Sequence, residues 1–136
     1  MNDKSLKAKA ISIKGRDYVL VSDRIIYFND TYKNGMIRTH LLSKPDDEMV
    51  VVKAQVIPDL ENEKRFFTGH SQAKWGAGMV NTTSALENAE TSAIGRALAM
   101  MGIGVIDSIA SVDEMKKAGV QVRNVDDQEP DWLKGQ

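Results

Sequence analysis

The chain has 136 residues, the length of one ordinary domain, and its 42% hydrophobic and 27% charged residues give the balance of a globular protein rather than a disordered one. It contains no cysteine and two histidines, His40 and His70, which excludes disulfides, thiolate zinc sites, cysteine nucleophiles and a histidine-rich metal centre. The net charge of −1 is unevenly spread: residues 1–105 hold 14 Lys/Arg against 12 Asp/Glu, whereas residues 106–136 hold 4 against 7. A mildly basic body with an acidic tail is compatible with a polyanionic partner and does not demand one. No apolar run approaches the roughly 18 residues needed to cross a membrane. The polar start, Met1 to Leu6, leads into no apolar segment, so export is not expected.

In chain order, the alternation of Ala8–Ile13 predicts a short strand, and Tyr18–Val21 is a second compact apolar run. From Ser22 the stretch SDRIIYFNDTYKNG fits a helix capped by Ser22 and stopped at Asn34-Gly35, although its aromatic and β-branched residues also suit a strand. Met36–Ser43 then alternates strictly, with Ile37, Thr39 and Leu41 on one face and Arg38, His40 and Leu42 on the other. A turn at Pro45–Glu48 leads to Met49–Ile57, with Val50, Val52, Ala54 and Val56 inward and Val51, Lys53 and Gln55 outward. A second turn through Pro58-Asp59 and Glu61–Glu63 precedes a third strand, Arg65–Trp75. Three strands so spaced read as an antiparallel meander, and the fold class expected is α+β.

Gly76-Ala77-Gly78 ends the sheet, and Ser84–Met101 predicts a long helix packed on it. Ser84 and Glu87 have capping-box spacing, and Gly102 and Gly104 stop the helix. At about 100° per residue, Ala89, Ala93, Ala97 and Met100 lie within about 60° of Leu86, an arc of small residues suited to close approach to a sheet. Glu90 falls inside that arc, so it either sits at an exposed edge or needs a cation, for which Arg24, Arg38 and Arg65 are candidates. Ser111 and Glu114 repeat the capping spacing before a short helix ending at Gly119. The division expected is a folded domain over residues 1–120 and a flexible acidic tail over 121–136.

Enzyme signatures are missing. There is no GxxxxGK[ST] phosphate loop, Gly76-Ala77-Gly78 lacks the third glycine of a dinucleotide fingerprint, and no zinc-deaminase signature is present. Around Pro58-Asp59, Glu63 and Lys64, the acid of a nuclease-like Glu-x-Lys pattern would fall on Asn62. The Asp46-Asp47-Glu48 turn reads as a cation site or, more simply, as solvated turn residues. No catalytic residue, metal or cofactor is assigned.

The basic residues offer more. Arg38, Lys53 and Lys74 on outward strand positions would form a track for a nucleic-acid backbone, with Tyr32, Phe66, Phe67 and Trp75 as stacking candidates. Arg96, the sole Lys/Arg of the long helix, is either a structural partner or a phosphate contact. The alternative is a solvated charged face with the aromatics in the core.

The helix segment SALENAETSAIGRALAMMGIG, Ser84–Gly104, resembles the helix signature of phage single-strand annealing proteins of the Erf and Sak type. With Tyr18–Val21, SDRIIYFNDTYKNG and three strands carrying Thr68-Gly69, it resembles the β-β-β-α core of the annealing superfamily named after the recombination mediator Rad fifty-two, over about Ala8–Met115. The resemblance implies an ATP-independent, non-enzymatic protein of phage-type homologous recombination and DNA repair, assembled as a homo-oligomeric ring or filament in the bacterial cytoplasm. Single-stranded DNA would lie in a basic groove, and holding two strands together would accelerate annealing by proximity. The DNA-binding set expected on that basis is Arg96, Lys53, Arg38, Lys74, Arg65, Lys14 and Arg16, with Lys7 and Lys9 mapping more loosely. Rival expectations are a protein that coats single-stranded DNA without annealing it, and a module docking on a host or phage replication, recombination or repair protein. The acidic residues around Trp132 would serve that docking, or else simply solubilise the terminus.

Overall fold

The computed structural model describes residues 2–76 and 81–106, and it shows an α+β fold. The chain opens with helix α1 (Asp3–Ala8), capped by the Asn2 side chain, which accepts from the Ser5 amide. A strand over Ala8–Ile13 is therefore corrected: only Ile11–Ile13 (β1) is extended, because the cap and the Asp3–Lys7 ion pair at 3.1 Å favour a helical turn first. β1 pairs antiparallel with β2 (Arg16–Tyr18) through a two-residue turn, Lys14-Gly15, in which both residues have positive φ. That geometry matches the right-handed twist of the two strands.

Helix α2 (Val21–Thr31) follows directly. Its N-cap is Leu20, which makes no side-chain capping bond, so the Ser22 cap is also corrected. The start is set by burial instead. Val19, Val21, Arg24 and Phe28 are all buried, and Phe28 stacks on Tyr32 at 5.2 Å between ring centroids.

Strands β3 (Met36–Leu41), β4 (Met49–Ile57) and β5 (Phe67–Lys74) form an antiparallel sheet in the order β3-β4-β5. A 3-10 turn at Leu60–Asn62, capped by Asp59, joins β4 to β5. The alternation in β4 is obeyed: Val50, Val52, Ala54 and Val56 are buried against the helices. Gln55, on the outward face, is buried too, because the Arg38 side chain donates to it at 2.9 Å.

Helix α3 (Asn81–Met100) covers that inner face, with a break at Ser84 (φ −126°, ψ 26°). Its buried stripe is Ala85, Ala89, Ala93 and Ala97, joined by Leu98. Leu86 and Met100, which the helical arc put inward, are 40% and 58% exposed, so the buried face is rotated from the one expected. Glycines make the approach possible. A Cβ on Gly69 of β5 would meet the Ala93 carbonyl oxygen and the Ala97 amide nitrogen at 2.4 and 2.5 Å, so sheet and helix touch backbone to backbone there. A Cβ on Gly95 would meet Val21 of α2 at 2.6 Å, which fixes the contact between the two helices. The helix ends in a Schellman motif, Ile103 N–H to Leu98 O and Gly102 N–H to Ala99 O, with Gly102 at φ +93°. The short helix expected over 111–119 and the acidic tail lie outside the described residues.

Candidate functional site

Register places the polar residues. β3 pairs with β4 as Arg38↔Gln55 and His40↔Lys53, and β4 pairs with β5 as Gln55↔Thr68, Lys53↔His70 and Met49↔Lys74. Side chains directly opposite in such pairs share a face with Cβ atoms about 5 Å apart. The outer face of the sheet thus carries a transverse row, His40–Lys53–His70, with Arg38–Gln55–Thr68 beside it and Lys74 further along β5. His40, Arg38, His70 and Lys74 are exposed and Lys53 is half-buried. None of the residues of β3, β4 or β5 is Asp or Glu. The nearest acid is Glu48, just before β4, which holds Lys74 in an ion pair at 2.9 Å.

The helical side is opposite in sign. α2 presents Asp23 and Asp30, and its only cation, Arg24, is 1% exposed. Among the described side chains of α3, Glu87 and Glu90 are exposed, and Arg96 is the lone cation. Glu90 sits at an exposed edge, the first of the two expected placements: its carboxylate accepts from the Thr39 hydroxyl at 2.8 Å, and the alternative partners Arg24, Arg38 and Arg65 are not used.

Among the described residues, Arg24 is the buried charged side chain. Its Nε donates to the Val19 carbonyl at 2.9 Å and Nη1 reaches the Gly95 carbonyl at 3.4 Å, while the guanidinium lies 5.1 Å from the centre of the Tyr18 ring. Burial pushes its pKa down, and Tyr18 offsets part of that effect. It ties β2, α2 and α3 together and offers nothing to solvent. Its burial was not legible in the sequence, where it stands among ordinary surface residues of an amphipathic helix.

The expected site residues therefore separate. Arg38, Lys53 and Lys74 share the outer sheet face. Arg65 precedes β5 and lies over the Phe67 ring at 4.9 Å. Lys14 and Arg16, both half-buried, belong to the separate β1-β2 sheet. Arg96 is half-buried on α3, its Cβ against Gly69, on the side of β5 that faces the helix. Lys7 is paired with Asp3, and Lys9 is an exposed C-cap of α1. Of the stacking candidates, Tyr32 and Phe67 pack against the core, while Phe66 and Trp75 are 49% and 39% exposed at the two ends of β5. The histidines were missed as a pair. Alternation alone puts His40 beside Arg38, but only the register brings His40 and His70 to either side of Lys53.

The acidic turn is also accounted for. Asp47 accepts from the Lys44 amide at 2.8 Å and Glu48 is engaged by Lys74. Among the described residues no group of three or more His, Cys, Asp or Glu side chains is placed to hold a metal ion. No helix among them is long and apolar enough to cross a membrane.

A family model matches residues 25–101, from inside α2 through the three-stranded sheet to just past α3; it is that of the Slr1353 N-terminal dsRNA-binding domain-like family. The match overturns the resemblance to phage annealing proteins, because it covers the strands and the whole helix segment up to Met101 that carried that resemblance, and assigns them to a different family. Comparison with curated proteins finds no match, and comparison with solved structures finds none either. Since the matched residues make up more than half of the chain, the protein belongs to the Slr1353 N-terminal dsRNA-binding domain-like family.

Proposed function

We propose that this domain is a non-enzymatic nucleic-acid-binding module that takes the phosphate backbone on the outer face of its three-stranded sheet. The observation that carries the reading is the segregation of charge: Arg38, Lys53 and Lys74 share a face on which no strand residue is acidic, while the exposed charges of α2 and of the described part of α3 are the acids Asp30, Glu87 and Glu90. A polyanion is attracted to the first surface and repelled by most of the second. The family's description, a dsRNA-binding domain-like fold, makes duplex RNA the first ligand to try, with single-stranded DNA as the comparison. Contacts to phosphates position a nucleic acid without reading its bases, so little sequence preference is expected.

The test is a titration of the full chain with a labelled RNA duplex and a labelled single-stranded DNA over a series of salt concentrations. Two phosphates neutralised by Arg38 and Lys53, with Lys74 already paired with Glu48, give a log–log slope of about −1.4 to −1.8, set by about 0.7 to 0.9 per phosphate. Binding that does not respond to salt, or no binding to either ligand by the folded protein, contradicts the proposal.

A further inference from the structure

We infer that the free edge of β3 pairs with β3 of a second copy of this chain, antiparallel and centred on Thr39, so that two three-stranded sheets become one continuous sheet. The pairing needs no nucleic acid; only its consequence for the outer face rests on the backbone-binding role proposed above. Its basis is the direction of the backbone groups. The Leu42 amide donates to the Val51 carbonyl at 2.8 Å, so the alternation of an antiparallel ladder makes His40↔Lys53 and Arg38↔Gln55 hydrogen-bonded pairs as well. Ile37, Thr39 and Leu41 therefore aim their N–H and C=O groups away from β4, along an edge that no other described strand covers.

Sheet edges of monomers are commonly blunted by lysine, proline, a bulge or a covering element. The opposite edge follows that rule. The Trp75 amide donates to the Glu48 carbonyl at 3.1 Å, so the β5 residues aimed outward are Thr68, His70, Gln72 and Lys74, all polar. The β3 edge does not: Met36–Leu41 contains neither lysine nor proline, it pairs with β4 without a bulge, and Leu41 and Leu42 are 49% and 54% exposed.

The symmetry of the strand selects a second β3 as the occupant. Outward from Thr39, Arg38, Ile37 and Met36 run one way and His40, Leu41 and Leu42 the other, a nitrogen-bearing side chain and then two apolar ones in each direction. Pairing about Thr39 sets Thr39 against Thr39 and Ile37 against Leu41 on the helix side, both favourable cross-strand pairs. On the outer side Arg38 meets His40, where a neutral imidazole offers an acceptor nitrogen to the guanidinium, and Met36 meets Leu42. A register shifted by two residues sets Thr39 against Ile37 or Leu41 instead. Charge agrees with the same symmetry, which brings the Pro45–Glu48 turn with Asp46 toward Lys33 of the second copy, whose side chain is 79% exposed. Against it, Glu90, engaged by Thr39, flanks the axis in both copies. One strand pair with its flanking side chains also falls in the class below about 1,200 Å², so the association is weak and concentration-dependent.

The two-fold axis is perpendicular to the sheet and keeps both outer faces on one side. Arg38 and Lys53 of both copies then share one track, the two Lys53 residues three strand spacings apart, about 14 Å. One copy brings few cations to a polyanion; two copies double them, and the second engagement is intramolecular.

The experiment is sedimentation velocity of the full chain without nucleic acid, from about 5 to about 500 µM, which brackets the dissociation constants of small interfaces. Wild type should show a monomer–dimer equilibrium. Thr39→Pro removes an edge-aimed N–H without costing a bond to β4, and Leu41→Lys puts a charge on the edge. Each should weaken association about tenfold or more while keeping a urea midpoint close to that of wild type. A wild type that stays monomeric throughout overturns the inference, and so do folded variants that both associate like wild type. The salt slope for an RNA duplex, measured above the dissociation constant, should be about twice as steep in wild type as in Leu41→Lys. Dimerisation without nucleic-acid binding upholds the pairing and overturns the role of the outer face; nucleic-acid binding by a monomeric wild type does the reverse.

Discussion

The two faces of the three-stranded sheet are built from the same strands and obey opposite constraints. On the inner face, β4 and β5 present Val52, Ala54, Val56, Gly69 and Ala73 to a stripe of alanines, and space is so limited that Gly69 admits no Cβ. On the outer face, positions one residue away carry Arg38, His40, Lys53, His70 and Lys74, and the side chains reach into solvent. The difference shows how a period of two separates stability from binding within a single strand. Val52 and Lys53 are neighbours in the chain, yet substitution at the first should unfold the domain and substitution at the second should only change what it holds.

The largest effect is expected at Gly69. Gly69→Val forces backbone atoms of α3 away from β5, and urea denaturation should report a loss of about 3 kcal/mol or more, beyond ordinary overpacking because the clash is with backbone. Wild-type stability would break the claim that helix and sheet meet backbone to backbone at this point. Next comes Arg24→Ala. It leaves the Val19 carbonyl without its side-chain donor, removes the second contact at Gly95 and opens a space between β2, α2 and α3, so about 2 to 4 kcal/mol should be lost in the same measurement. An exposed arginine would show almost none of that.

The outer face is expected to behave differently. Lys53→Ala should leave the denaturation midpoint nearly unchanged while weakening nucleic-acid binding and lowering the salt slope by about 1. A lowered midpoint with unaltered binding would reverse the assignment of the two faces. The smallest effect belongs to Lys74→Ala, whose ion pair with Glu48 is exposed on both sides; stability should change by less than about 0.5 kcal/mol. Its binding loss should be smaller than that of Lys53→Ala, since Glu48 already neutralises Lys74.

How much of this was legible follows from range. The faces of β3 and β4 could be read directly, because alternation is a local property and β4 shows it from Met49 to Ala54, before Gln55 and Ile57 are buried on the outward face as well. The small residues of α3 announce a close contact, but hydrophobicity alone centres the buried face on Leu86, whereas the contact with Gly69 selects Ala85, Ala89, Ala93 and Ala97. Apolar character does not reveal which side of a helix another backbone will approach. The start of α2 was misplaced because Ser22 looks like a cap, while burial of Val21 sets the boundary. Arg24 and the histidine row depend on pairings between residues 13 or more positions apart, which no local pattern encodes. The family was misjudged for a related reason: the alanine-rich segment and a meander of strands satisfy a general packing rule, and they do not by themselves distinguish one β-β-β-α lineage from another.

The outer sheet face and the helical side differ most directly in which of them meets phosphate. The direct measurement is a comparison of Lys53→Glu, on the outer sheet face, with Arg96→Glu, on the helical side, in binding of one RNA duplex at one low salt concentration. Both variants are first shown to unfold cooperatively. Binding should be abolished or strongly weakened in Lys53→Glu and be close to wild type in Arg96→Glu. Loss of binding in Arg96→Glu with Lys53→Glu unaffected would move the interface to the helices and contradict the account.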